Sequence, residues 1–276
     1  MFEWVPAGLF GQSLNDLKGL TLGNPIKATW PISNALTPLL PGCVHIWSFH
    51  TSRPPKEVEL LSKLLHPEEI NRAMRMRSLE VREQAIVGRA VLRIFLAGYL
   101  GSEPKDLVFA STGMGKPVLP NNPKLYFNLS HSHGLGLIAL SSSVEIGVDV
   151  EKIRVIENSL LLAERFFSPW ESQTLSQQPS PEMQSIFFQA WTRKEAFLKA
   201  NGHGLGFGLD RVEVSLGRNE TPRIRFIDGC PNEAGRWTVL HLEPGLGFMG
   251  AAAFLTTQNI QSLTWHWDGK ENPKMM

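Results

Sequence analysis

The sequence predicts an α+β protein made of two similar halves, a pseudo-dimer within one chain. Each half is a small antiparallel sheet packed with helices, with a ligand cleft between the halves. Three observations predict it. The strand-like run Val44-His45-Ile46-Trp47-Ser48-Phe49 recurs as Ile146-Gly147-Val148-Asp149-Val150-Glu151, 102 residues later. The helix start His66-Pro67-Glu68-Glu69 recurs at the same offset as Ser168-Pro169-Trp170-Glu171. Finally, Gly134-Leu135-Gly136-Leu137-Ile138-Ala139 resembles Gly245-Leu246-Gly247-Phe248-Met249-Gly250, now 111 residues on, so the second copy carries extra residues in its strand region.

The elements follow in order. Residues 1–42, rich in Gly, Pro, Asn and Leu without a clean period, read as an irregular N-terminal extension. The first half spans 43–143 and the second 144–257. Each helix start leads into a run with apolar residues three and four apart, over 81–99 and 183–200, which is the mark of an amphipathic helix. Strands are expected at 107–111, 124–130 and 135–141, then at 211–216, 223–227, 236–243 and 248–255. Short strands following long helices point to antiparallel sheets in α+β halves. The tail, 258–276, carries Trp265 and Trp267 but ends in a polar, proline-containing stretch expected to be loose.

Bulk properties exclude several function classes. With 276 residues, 42% hydrophobic and 19% charged, the chain is ordinary for a soluble globular protein of one or two domains. A net charge of +1 argues against a whole-protein grip on nucleic acid. No apolar run reaches the roughly 18 residues that a membrane helix needs, and Glu3 with no basic cluster near Met1 does not fit a signal peptide. Cys43 and Cys230 are too few and too far apart for a disulfide framework, which fits a reducing cytoplasm.

Chemistry enters at Ile146-Gly147-Val148-Asp149-Val150-Glu151. Alternation places Asp149 and Glu151 on one strand face, roughly 6.5–7 Å apart at Cα, so both carboxylates can converge on one hard cation. A half-buried strand whose polar face meets water has the same pattern. On the predicted helix, Trp191, Glu195 and Lys199 form one stripe at four-residue spacing. An i,i+4 salt bridge beside a core tryptophan explains that stripe equally simply. Together the two segments supply three carboxylates, the oxygen set that Mg²⁺ takes alongside substrate phosphates and water.

A third segment, Phe127-Asn128-Leu129-Ser130-His131-Ser132-His133, ends a strand in hydroxyls and imidazoles that could bond a phosphate. A His131/His133 zinc pair lacks further ligands at recognisable spacing. Ser132 lacks the G-x-S-x-G setting of a nucleophile elbow. Gly113-Met114-Gly115-Lys116-Pro117 presents a lysine in a turn but fails the Walker spacing, and the glycines of 202–208 follow a helix rather than a strand. The arginines at 72, 75, 77, 82, 89 and 93 hold much of the positive charge and suit phosphate recognition.

In this order the motifs resemble the long, single-chain 4′-phosphopantetheinyl transferases. The matching pieces are Gly115-Lys116-Pro117, the Phe127–Ser132 run, Gly147 to Glu151, Arg165-Phe166-Phe167-Ser168, and Trp191 to Ala200 with the following Gly-x-Gly-Leu. The resemblance implies transfer of the phosphopantetheine arm of coenzyme A to a serine of an apo acyl or peptidyl carrier protein. It implies Asp149, Glu151 and Glu195 as Mg²⁺ ligands, Glu195 also near the serine proton, and Lys199 at the pyrophosphate. Lys116, Asn128, Ser130 and His131, helped by Arg89 and Arg72, would hold the 3′-phosphate side of coenzyme A. Glu171 matches an acidic position near the family site without a clear role. Glu69 and Gln84 depart from the pattern, standing where relatives often carry basic residues. A monomer is expected, because duplication supplies both walls of the cleft.

Overall fold

The computed structural model describes residues 30–217, 220–256, 258 and 260–275, so most of the expected N-terminal extension lies outside the described residues. A short strand β1 (Ala35–Leu36) leads into β2 (Cys43–His50). Three helices follow: α1 (Pro55–Ser62), α2 (Pro67–Met74) and α3 (Leu79–Leu100). A 3₁₀ turn at Pro104–Asp106 precedes the small hairpin β3 (Ala110–Ser111) and β4 (Pro117–Val118), then β5 (Tyr126–Ser132) and β6 (Leu135–Ser141). The second half repeats the plan with β7 (Ile146–Lys152), α4 (Ser159–Phe166), α5 (Pro169–Ser176) and α6 (Ser180–Asn201). It continues through β8 (Val212–Val214), β9 (Ile224–Ile227), α7 (Pro231–Ala234), β10 (Trp237–Leu242) and β11 (Phe248–Leu255).

The two main sheets have matching cores. In one, β5 and β2 flank β6, antiparallel to it; in the other, β10 and β7 flank β11 in the same sense. The chain is therefore an α+β protein of two domains, each pairing small sheets with helices. The expected strand at 107–111 shrinks to the two residues of β3, and the Leu107 carbonyl before it is taken by the Arg93 side chain rather than by a neighbouring strand. The tail differs more. It forms β12 (Gln261–Trp267), which pairs in parallel with β2, and β13 (Lys274–Met275), parallel to β1. Trp265 stacks on Trp47 at 4.7 Å between ring centroids, and Trp267 is buried. Covering an open sheet edge with alternating aromatics explains why this polar-looking segment is not loose.

The duplication extends to a hydrogen-bonded knot in each domain. In the first, Glu69 closes a capping box on α2 by accepting from the His66 amide at 2.8 Å, and pairs with both Arg89 and Arg93. Arg93 also donates to the carbonyls of Pro104 and Leu107. In the second, Glu171 closes the box on α5 from the Ser168 amide at 2.7 Å and meets Lys194 at 2.5 Å. Lys194 donates to the carbonyls of Leu209 and Val212. An N-cap glutamate thus ties a short helix to a buried cation on the following long helix, which in turn anchors the chain beyond it. Glu69 is thus the acid that holds the α2 N-terminus and two arginines of α3 together.

Between the domains lies a third core, with Val44 and Ile46 of β2, Leu137 and Ala139 of β6, Ile146, Val148 and Val150 of β7, and Ala252 and Phe254 of β11. The apolar face of β7 therefore points into a core shared by both sheets, leaving its other face for α6.

Candidate active site

α6 lies directly on β7 at Gly147. A Cβ there would fall 2.1 Å from the carbonyl oxygen of Ala196 and 2.3 Å from the amide of Ala200. No other residue fits without moving the helix. From this contact Asp149 and Glu151 continue along the same face of β7 as Gly147. Along 191–200 of α6, Trp191, Glu195 and Lys199 are the half-buried positions and the rest are buried. Trp191 closes the stripe against the rings of Phe187 and Phe166. Glu195 and Lys199 are left beside the strand carboxylates.

The contacts there are close. Lys199 Nζ lies 2.6 Å from Asp149 Oδ1 and donates to Ser130 Oγ at 3.0 Å, while that hydroxyl donates to Asp149 Oδ1 at 2.9 Å. Ser132 Oγ donates to Glu151 Oε2 at 2.7 Å, and Arg154 reaches the same oxygen at 3.5 Å. Burial, then repulsion from Asp149, pushes Glu151 up to about 7. Burial likewise pushes Glu195 up to about 7, with Asp149 and Glu151 adding to it and Lys199 opposing it. Burial alone would lower Lys199, but Asp149 and Glu195 hold its pKa above the ordinary lysine value. His131 is lowered to about 4 by burial and by Lys199, so its imidazole is neutral.

This donor set fits a hard divalent cation. It offers carboxylate oxygen, and Asp149 Oδ2 is buried without a hydrogen-bond partner. The mutual repulsion that raises two of the carboxylates is what a bound cation relieves. Among the described residues, no three acidic, imidazole or thiol side chains already stand as a metal cage, and Lys199 is the cation in contact with Asp149.

The first domain reaches this site through β5, which runs alongside β7 and is stitched to it by side chains. Asn128 Oδ1 accepts from the Val148 amide at 2.8 Å, Ser130 bonds Asp149, and Ser132 bonds Glu151 and accepts from the Lys152 amide at 3.4 Å. Every second residue of the motif thus crosses between the domains. His133 and Gly134, both at positive φ, make the turn into β6. His133 bonds Ser132 there, in the turn beyond the strand that carries His131.

The comparisons with known proteins decide the family. The 4′-phosphopantetheinyl transferase superfamily signature matches residues 145–247, and that of the 4′-phosphopantetheinyl transferase N-terminal domain matches 52–143. The chain belongs to the 4′-phosphopantetheinyl transferase superfamily. It is of the long type with both domains. It is 34% identical over 245 residues to the 4′-phosphopantetheinyl transferase HetI of Nostoc sp., covering 88% of this chain and 100% of that protein. It is 31% identical over 185 residues to Sfp of Bacillus subtilis, covering 66% of this chain and 81% of the relative. With psf-1 of Bacillus pumilus it shares 32% over 173 residues, 63% of this chain and 73% of the other.

The remaining expected positions of the transferase lie further out. Arg89 is paired with Glu69 and lies over the Phe109 ring, 4.0 Å from its centroid. Arg72 is exposed on α2, and its charge acts on Arg89. Gln84 is buried and bonds Glu80. His131 lies over Gly88 of α3. Lys116 ends at Glu145 and the start of β7. Glu171 is fully buried in its knot with Lys194, away from the open face of α6. Two contacts of Glu151 were not anticipated. Arg154 has the weak signal of standing three residues beyond Glu151, and Ser132, expected as a hydroxyl for a phosphate, instead bonds Glu151.

Proposed function

We propose that this transferase moves the 4′-phosphopantetheine group of coenzyme A onto a serine of an apo acyl or peptidyl carrier protein, releasing 3′,5′-ADP. The observation that carries the reading is the convergence of Asp149, Glu151, Glu195 and Lys199 from one strand and one helix, at the junction of the two domains.

Asp149, Glu151 and Glu195 would hold Mg²⁺, which when bound supplies charge neutralisation for a diphosphate. Lys199 directs its ammonium at the same region, where it can meet the pyrophosphate oxygens as charge shifts onto the leaving 3′,5′-ADP. Ser130 and the neutral His131, beside Lys199, offer hydrogen bonds to the nucleotide side, with Arg89 and Arg72 beyond them. The carboxylate of Glu195 takes the proton of the carrier serine directly or through a water. The serine oxygen then bonds the β-phosphorus in line as the bond to 3′,5′-ADP breaks. Free cysteines suit a reducing cytoplasm, and both walls of the site come from one chain, as a monomer requires. No helix among the described residues is long and apolar enough to cross a membrane.

The test is intact-mass measurement of an apo carrier incubated with the protein, Mg²⁺ and coenzyme A. Gain of one phosphopantetheine, abolished by EDTA, is the expected result. Free phosphopantetheine without carrier modification would make the protein a hydrolase, and an unchanged carrier with unchanged coenzyme A would make it a binding module.

A further inference from the structure

Lys116 sits in the turn between β3 and β4, and that turn is braced. The Thr112 amide donates to the Lys116 carbonyl at 2.9 Å, the Gly115 amide to the Thr112 carbonyl at 2.8 Å, and the Lys116 amide to Thr112 Oγ1 at 3.1 Å. Gly115 takes φ +88°, which glycine alone adopts freely. From this hairpin of the first domain the side chain crosses into the second. Its Nζ meets Glu145 Oε2 at 2.5 Å, the Ile146 carbonyl at 3.1 Å and the Ala200 carbonyl at 3.4 Å. An ammonium has three protons, and here three protein oxygens face them.

The identity of those oxygens matters. Ile146 opens β7 and Ala200 lies in the last turn of α6, the two elements that carry Asp149, Glu151, Glu195 and Lys199. Both flank Gly147, whose missing side chain lets helix and strand touch. Lys116 therefore closes the same contact from its end, and adds positive charge where the α6 dipole is negative. Asp149 is three residues further along the strand, about 10 Å away. The side chain is 8% exposed, and its contacts point into the protein rather than at a phosphate.

We infer that Lys116 is a positioning residue: an ammonium latch by which the β3–β4 hairpin fixes the spacing of β7 and α6, and with it the carboxylate–lysine site. It is not a ligand of the 3′-phosphate of coenzyme A. The kinetic half of the test rests on the coenzyme A reading; the structural half does not.

Lys116→Met keeps an apolar stem and removes the charge. Turnover falls about tenfold or more, by the same factor with coenzyme A and with 3′-dephospho-coenzyme A, and the ratio of the two KM values stays unchanged. Amide exchange over 146–148 and 196–201 quickens at least about tenfold, while the centre of α3 and β6 keep their protection. A KM increase confined to coenzyme A would overturn the inference and make Lys116 a phosphate ligand. Unchanged kcat with unchanged exchange would overturn it equally. Glu145→Gln leaves both carbonyl acceptors and removes the ion partner, so it shows a smaller change of the same sign. It serves where Lys116→Met does not fold. A wild-type protein that transfers nothing would sink the coenzyme A reading alone, and exchange would still decide the latch.

Discussion

At the scale of single residues, the same side chain does opposite work depending on what surrounds it. Glu171, fully buried, and Glu195, half-buried, are both glutamates whose pKa is raised by desolvation. Glu171 accepts from the amides of Ser168 and Val214 and meets Lys194, with both members of the pair fully buried. Glu195 faces Asp149, Glu151 and Lys199 on a half-open stripe. Removing one member of a buried ion pair strands the other, which costs about 3–5 kcal/mol. Glu171→Gln is therefore expected to lose about that much stability in urea unfolding. Glu195→Gln should leave the unfolding midpoint nearly unchanged and lower turnover by about 10²-fold or more. A Glu171 variant with wild-type stability and lost turnover would move that residue into the reaction. The sequence could flag Glu171 as acidic and well placed, but not its role. Its partner Lys194 sits beside Glu195 in the motif, and one helical step of about 100° turns it away from the site into a buried position.

At the scale of elements, the site depends on how closely α6 approaches β7. The strand alternation and the helical stripe were legible, because period two and period 3.6 determine which residues share a face. What lay beyond them was the mate of each face. Nothing in Asn128, Ser130 and Ser132 announces that β5 runs beside β7 and is stitched to it by side chains instead of a backbone ladder. In the sequence nothing marks Gly147 as the point of approach, and the packing shows that it admits the helix. Gly147→Ala forces a shift of α6, since all three atoms the new Cβ would meet, from Ala196, Lys199 and Ala200, are backbone. The expected cost is about 1–3 kcal/mol, with a loss of turnover larger than that of equally destabilised variants elsewhere. Thermal unfolding and initial rates on the same preparation check it. Wild-type turnover in a stable Gly147→Ala would contradict the close-approach argument.

At the scale of the whole molecule, the duplication explains both likeness and difference. Both copies keep the capped helix, the buried cation and the antiparallel triplet of strands. Only the second carries acids on its first strand: where β7 has Asp149 and Glu151, the equivalent positions of β2 are Trp47 and Phe49, both fully buried. The first domain contributes a wall and the β5 stitches, and its own first strand packs apolar side chains against α3 and β12. In the tail, the alternation of Leu263, Trp265 and Trp267 is a strand signal that the polar end beyond it obscures, and within that end Lys274 and Met275 pair with β1. Beside this aromatic cluster, His45 is buried, bonds the Tyr99 hydroxyl at 2.8 Å, and has its pKa lowered to about 4 by burial. A histidine held neutral in the fold but free to protonate when unfolded favours unfolding as pH falls below about 6.5, with the full effect reached near 4. Between pH 7 and 5 this amounts to about 2 kcal/mol of lost stability. His45→Gln should remove that part of the pH dependence in paired urea titrations. An unaltered pH slope in the variant would show that His45 is already protonated in the fold.

In the proposed transfer, carboxylates from a strand and a helix act as one site. The most direct measurement is a double-mutant comparison of phosphopantetheine transfer rates for Asp149→Asn, Glu195→Gln and the two together. Groups that work as a unit lose nearly everything with the first removal. Each single variant should fall by about 10²-fold or more and the double variant hardly further. Losses that multiply in the double variant, or a single variant with near wild-type rates, would contradict action as one site.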